Sequence, residues 1–133
     1  KTAAQMDISG LNLLLVEDNE LNREIARELL QQTGAAVDIA GDGKAGLEAF
    51  ENSMEGFYDL ILMDIRMPVM NGLDASRAIR ASGKKDALTV PILAMTANAF
   101  DEDRVLAKAA GMTGYLVKPL DMKLLVEELR KLQ

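Results

Sequence analysis

The apolar run Leu60-Ile61-Leu62-Met63 is closed by Asp64 and followed by a loop through Met67-Pro68, and no other stretch limits the fold of this chain so strongly. A run this short, bounded by Asp59 and Pro68, suits a buried parallel strand covered on both faces, although periodicity alone also admits a piece of buried helix. As a strand it delivers Asp64 at its carboxyl end. Ligands of open parallel α/β sheets sit in the crevice outside those ends, so an acid there is a candidate for chemistry. An aspartate is equally at home as the N-cap of a following helix, and Asp64 alone does not separate the two.

The rest of the chain repeats the pattern. Leu11 to Val16 is apolar apart from Asn12 and ends in Glu17-Asp18, after which Asn19 or Asp18 caps a helix whose apolar face reads as Leu21, Ile25 and Leu29, with Gly34 beyond it. Ala36 to Ala40 is a short second strand, and Asp42 caps a helix with Ala45, Leu47 and Phe50 inward. After the central strand, Asn71-Gly72 opens a helix through Leu73, Ala75, Ala78 and Ile79, which stops in the polar turn at 82–86. Pro91 opens a fourth strand that ends in Thr96, and Asp101 caps a helix running through Val105 and Leu106 to Gly111. The fifth strand, Gly114 to Val117, ends in Lys118-Pro119, and Asp121 caps a last helix with Leu125, Leu129 and Leu132 as its buried stripe. This alternation predicts one α/β domain over 11–133, with five parallel strands doubly wound by helices on both faces and residues 1–10 as a tail.

Composition narrows the chemistry. At 133 residues, with 49% hydrophobic and 27% charged side chains, the chain fits a single soluble core, and no apolar run reaches membrane-spanning length. Lys1 to Gly10 lacks the apolar core of a signal peptide, and the absence of cysteine excludes disulfides and suits a cytoplasmic setting. Histidine is also absent, which removes the commonest general base and transition-metal ligand. A formal charge of −6 with scattered basic residues argues against nucleic-acid binding.

Parallel strands place Glu17, Asp18, Asp64, Thr96 and Lys118 on one edge of the sheet, and capping does not explain a lysine gathered with three acids there. Carboxylates in contact repel by about 4 kcal/mol per pair at a surface-like dielectric, so the site calls for a cation. Oxygen ligands in an incomplete cage suit Mg2+, which keeps its waters and pairs with phosphate oxygens. With Lys118 opposite Asp64 and the Thr96 hydroxyl at the rim, the set permits metal-assisted phosphoryl transfer to Asp64.

At this point the sequence resembles the receiver domains of two-component response regulators. The likeness spans Leu13 to Leu132 and rests on Glu17-Asp18-Asn19, Asp64 with Met67-Pro68 and Asn71-Gly72, Ala94-Met95-Thr96-Ala97, and Tyr115-Leu116-Val117-Lys118-Pro119. It implies a flavodoxin-like fold with strand order 2-1-3-4-5. It also implies that Asp64 accepts a phosphoryl group from a histidine kinase or histidine phosphotransfer domain, with autophosphatase activity. Asp18 is then a direct ligand of Mg2+ or a substituting Mn2+, Glu17 a ligand through water, and the backbone carbonyl of Arg66 a third. Lys118 binds the phosphoryl group, Lys118-Pro119 is a cis peptide, and Thr96 with Tyr115 forms the switch. The wording around Asn22, Asn98-Ala99 and Ala110-Gly111-Met112 most resembles receivers of hybrid histidine kinases, which implies the cytoplasmic part of a sensor.

Rival readings fare worse. A haloacid-dehalogenase-type phosphatase needs a second acid where this chain has Arg66, and a flavin binder needs a glycine-rich loop where it has Glu17-Asp18. Neither glycine-rich nucleotide motif occurs. A receiver-like interaction module that is never phosphorylated would be expected to have lost an acid, the threonine or the lysine, and all are present.

Overall fold

Each short aliphatic run forms an extended segment of four or five residues: β1 (Asn12–Val16), β2 (Ala36–Ala40), β3 (Leu60–Asp64), β4 (Ile92–Thr96) and β5 (Gly114–Val117). The structure, a computed structural model, describes residues 10–67, 69–97, 101–118 and 120–131. Between the strands the chain returns through α1 (Glu20–Gln31), α2 (Gly43–Asn52), α3 (Gly72–Arg80) and α4 (Asp101–Ala109), and it continues into α5 (Met122–Lys131). All pairings are parallel and the order is β2-β1-β3-β4-β5, as expected. Residues 1–9 of the expected tail lie outside the described residues.

Because side chains alternate along a strand, the central runs feed two cores. Leu14, Val16, Ile61, Met63 and Ile92 pack with Phe50 of α2 and Ala75 and Ile79 of α3, whereas Leu13, Leu15, Leu60, Leu62 and Leu93 pack with Leu30 of α1 and Leu125 of α5. Every residue of β3 and β4 is buried, which explains their unbroken apolar character.

The helix starts bear directly on the site. Asn19 Oδ1 accepts from the Asn22 N–H at 2.9 Å, so Asn19 rather than Asp18 caps α1. Asn71 caps α3 by accepting from Asp74, which takes that role away from Asp64. Asp42 and Asp121 accept from Ala45 and Lys123 as expected, while the side chain of Asp101 lies outside the described residues.

One helix face differs from expectation. Leu21 and Ile25 are 69% and 50% exposed, and Ala26 and Leu30 take the inward positions of α1 instead. The true stripe lies one residue, about 100° of helix, from the expected one. Apolar periodicity cannot tell a core face from an apolar surface patch beside it. On α4, Val105 and Leu106 are likewise exposed. Leu125 is buried with Val126 as its neighbour, and the remaining expected stripe residues, Leu129 and Leu132, lie outside the described side chains. Among the described residues no helix is long and apolar enough to cross a membrane.

Leu30→Ala is therefore expected to cost about 2–5 kcal/mol, while Leu21→Ala stays within about 0.5 kcal/mol. Urea denaturation of the two variants checks this, and equal losses would restore the original stripe.

Candidate functional site: an acid cluster at the carboxyl edge

Main-chain pairing carries the strand ends into one crevice. The Glu17 N–H donates to Ala40 O at 3.1 Å, Ile65 N–H to Met95 O at 3.0 Å and Lys118 N–H to Thr96 O at 2.7 Å, so each residue just beyond its strand stays in register. One carboxylate oxygen from each of Glu17, Asp18 and Asp64 lies within 4.8 Å of the others. Glu17 and Asp64 are 2% and 4% exposed, and Asp18 faces solvent. Lys118 Nζ sits 2.7 Å from Glu17 Oε1 and 2.7 Å from Asp64 Oδ2. β5 is two strands from β3, about 9–10 Å at ordinary strand spacing, and the Lys118 and acid side chains together span that gap above β4.

Burial alone lowers the pKa of Lys118. The hydrogen bonds to Asp64 and Glu17, together with their charges, outweigh that and leave it raised. The sign follows: the stabilisation is complete below the ordinary lysine range and is lost only as pH rises through the raised value, so the clamp holds at neutral pH.

The loop after β3 is fixed tightly. Arg66 N–H donates to Asp64 Oδ1 at 3.2 Å, and Gly72 N–H donates to Ile65 O at 2.8 Å. A Cβ on Gly72 would stand 2.1 Å from the Asp64 carbonyl oxygen, which only glycine tolerates. Val69 has φ 68°, a strained conformation for a β-branched residue, as found where surrounding structure enforces it near functional sites.

Thr96 is 2% exposed, and its hydroxyl donates to Asp103 Oδ2 at 3.3 Å. Asp103, 4% exposed, also receives Arg66 Nη2 at 3.3 Å. Tyr115 is half-buried on β5 with the Arg104 guanidinium carbon 5.0 Å from its ring centroid. Glu17, Asp18, Asp64 and Lys118 thus converge as expected, and Thr96 joins the same edge through a different partner. Pro119, and with it the expected cis peptide, lies outside the described residues, as does Pro68. Sequence reasoning missed Asp103 and the Arg66 side chain. A signal for Asp103 was present: Asp103, Ala107 and Ala110 recur on one helical face, and all three are buried.

Residues 13–130 match the family described as the response regulator receiver domain. This chain belongs to that family. Aerobic respiration control sensor protein ArcB of Escherichia coli is 43% identical over 126 residues, which cover 95% of this chain and 16% of ArcB, so the chain spans about one sixth of that relative. The receiver domain of sensor histidine kinase PA1611 from Pseudomonas aeruginosa is 40% identical, covers 94% of this chain and 96% of its own, and superposes with a TM-score of 0.79. That structure holds a magnesium ion coordinated in its active-site cleft. A chain from the co-crystal of the Saccharomyces cerevisiae histidine phosphotransfer protein Ypd1 with the receiver domain of Ssk1 is 29% identical, covers 91% of this chain and 87% of its own, and has a TM-score of 0.78. The receiver is of the two-component and phosphorelay kind, its fold is flavodoxin-like, and its relatives include hybrid histidine kinases.

The acids in hand fit a hard divalent cation. They offer only oxygen donors, outnumber the one lysine among them, and open to water on the Asp18 side, which suits an ion that keeps part of its hydration shell. Asp18→Asn should accordingly raise the thermal midpoint in EDTA, by up to about 1 kcal/mol of stability, because it relieves repulsion while sparing the Lys118 pairs. Saturating Mg2+ should erase that advantage. A fall in midpoint in EDTA would mean that Asp18 makes a stabilising contact instead.

Proposed function

We propose that Asp64 accepts a phosphoryl group from a phosphohistidine donor, and that the receiver then changes its surface for signalling. The observation that carries this is a nearly buried carboxylate at the centre of the sheet edge, gripped by Lys118 and the Arg66 N–H and relieved of capping by Asn71. A carboxylate oxygen of Asp64 attacks phosphorus, the bond from phosphorus to the donor nitrogen breaks, and its electron pair stays with the imidazole. This chain contains no histidine, so the donor belongs to a kinase, a phosphotransfer domain or another part of a longer hybrid kinase.

Asp18 directly, Glu17 through water, Asp64 and the Arg66 carbonyl would hold Mg2+, or Mn2+ in its place, whose charge neutralises the oxygens gathered during transfer. Lys118 keeps Asp64 oriented before transfer and meets the phosphoryl oxygens afterwards. Thr96 moves its hydroxyl to the new group and Tyr115 follows it. One charge-assisted hydrogen bond is worth about 1.5–3 kcal/mol, against about 5.5 kcal/mol for a full two-state switch, so Thr96 acts together with Lys118 and Tyr115.

The donor's docking place follows from the correction to α1. Leu21 and Ile25 are exposed beside a cleft of about 390 Å3 lined by Glu17, Asn22, Ile25, Met95, Lys118 and Leu120 among others, which joins an apolar surface to the acid cluster. Ypd1, a histidine phosphotransfer protein, occurs in complex with the Ssk1 receiver, and a domain of that class is the partner proposed for this cleft. In this reading the domain works in the cytoplasm, as part of a sensor or beside one, and touches neither nucleic acid nor membrane.

Two outcomes test the proposal. With acetyl phosphate and Mg2+ or Mn2+, intact mass should show one added phosphate, lost in EDTA and in Asp64→Ala; normal uptake by that variant on another residue would refute the assignment. Ile25→Asp should slow transfer from a phosphorylated histidine phosphotransfer domain at least about tenfold, by placing a charge in an apolar contact, with acetyl phosphate uptake unchanged. Equal rates from the protein donor would move the docking site elsewhere.

A further inference from the structure

The Thr96 hydroxyl has an acceptor before any phosphoryl group arrives. Asp103 Oδ2 takes it at 3.3 Å, while Asp103 Oδ1 takes Arg66 Nη2 at 3.3 Å. The aspartate is 4% exposed, yet the salt-bridging Arg66 side chain is 71% exposed, so among the described residues the buried carboxylate is held by one donor from inside the fold and one from its surface. A buried carboxylate with few donors holds each of them firmly, because losing one leaves its charge poorly compensated. The hydrogen bond to Thr96 is nevertheless long for a hydroxyl and a carboxylate, whose usual distance is about 2.5–2.7 Å. It is therefore an occupied but yielding contact.

Arg66 ties this pair to the acid cluster. Its main-chain N–H donates to Asp64 Oδ1 while its guanidinium reaches Asp103, so one residue touches both carboxylates. On the other side, Arg104 adjoins Asp103 in α4 and covers the ring of Tyr115. The first turns of α4 thus hold, through neighbouring residues, both Thr96 and Tyr115.

We propose that Asp103 is a positioning residue that competes with the phosphoryl group on Asp64 for the hydroxyl of Thr96, and so sets how strongly the receiver stays in its resting state. The inference rests on Asp64 being the phospho-acceptor. When the hydroxyl leaves Asp103, that carboxylate loses a donor, and the cost is charged against activation. The turn of α4 carrying Arg104 loses a tie to β4 in the same event, which couples Tyr115 to Thr96.

The test uses beryllofluoride, whose BeF3 unit on a carboxylate oxygen stands in for the phosphoryl group, titrated in excess Mg2+ and followed by amide chemical shifts. Asp103→Asn keeps the shape and a weaker, uncharged acceptor. It should reach half-saturation at about three- to tenfold lower beryllofluoride than the unchanged protein, and in a Thr96→Ala background the same substitution should give less than half that gain. A purely structural role for Asp103 would weaken binding, so unchanged or weaker binding in Asp103→Asn overturns the proposal. A full gain in the Thr96→Ala background also overturns it, since the effect would then be simple charge removal. Lack of beryllofluoride binding by the unchanged protein would instead refute phospho-acceptance by Asp64, separating the two failures.

Discussion

A single ammonium group holding two buried carboxylates is the constraint on which the carboxyl edge depends. Lys118 bonds Glu17 and Asp64 at the same distance, from a strand that does not touch theirs. That reach fixes much of the architecture. β5 must lie on the β4 side, β4 must end in a residue that lets the lysine pass over it, and β1 must stop one residue before Glu17. Removing the lysine would leave two buried acids with no counter-charge among the described residues, and such a loss typically costs more than the intact pair contributes. The edge is consequently stable only as a set.

The division of labour among neighbouring polar residues keeps the set available. Asn19 and Asn71 cap α1 and α3, duties that Asp18 and Asp64 are chemically able to perform. Gly72 allows the chain to fold back against the Asp64 carbonyl, and Gly43 donates its N–H to Met70 O at 3.1 Å, tying α2 to the same loop. A Cβ on Gly43 would lie 2.2 Å from that oxygen. Two glycines on different helices thus brace the loop that carries Arg66, and Val69 absorbs the strain in an exposed αL position.

The five strands and their common edge are legible in the sequence because parallel sheets buried on both faces need apolar runs, and each run here stops at a polar side chain. Helix starts are legible for a related reason, since Asn and Asp caps announce themselves locally. Helix faces are less so. Leu21 and Ile25 repeat every fourth residue as a core stripe does, and only the direction in which α1 leaves β1 decides that Ala26 and Leu30 go inward. Basic residues hide in the opposite sense. Lys84 falls in the polar turn read at 82–86, yet its Nζ lies 2.8 Å from Phe50 O and 2.7 Å from Ser53 O at the end of α2. Arg80 donates to Gly111 O at 2.9 Å and to Ala87 O at 3.0 Å, and burial lowers its pKa. Pairings across such sequence distances leave no local signal, and the contact of the Arg66 side chain with Asp103 belongs to the same class.

Charge counting links these features to activation. Glu17, Asp18 and Asp64 carry three negative charges and Lys118 one positive, so the cluster bears a formal −2, which a bound divalent ion would bring to zero. Phosphorylation of Asp64, as proposed, would replace a carboxylate of charge −1 with a group of about −2, so that neutral balance would be lost at the moment of transfer. Nearby donors are then drawn toward the new oxygens. Lys118 already touches Asp64 and has little distance to travel. On the competition proposed above, Thr96 must first leave Asp103, and in doing so it would convert a local change of charge into a change in what holds α4 against the sheet. On that proposal the resting contact, more than the new one, sets how far the change spreads.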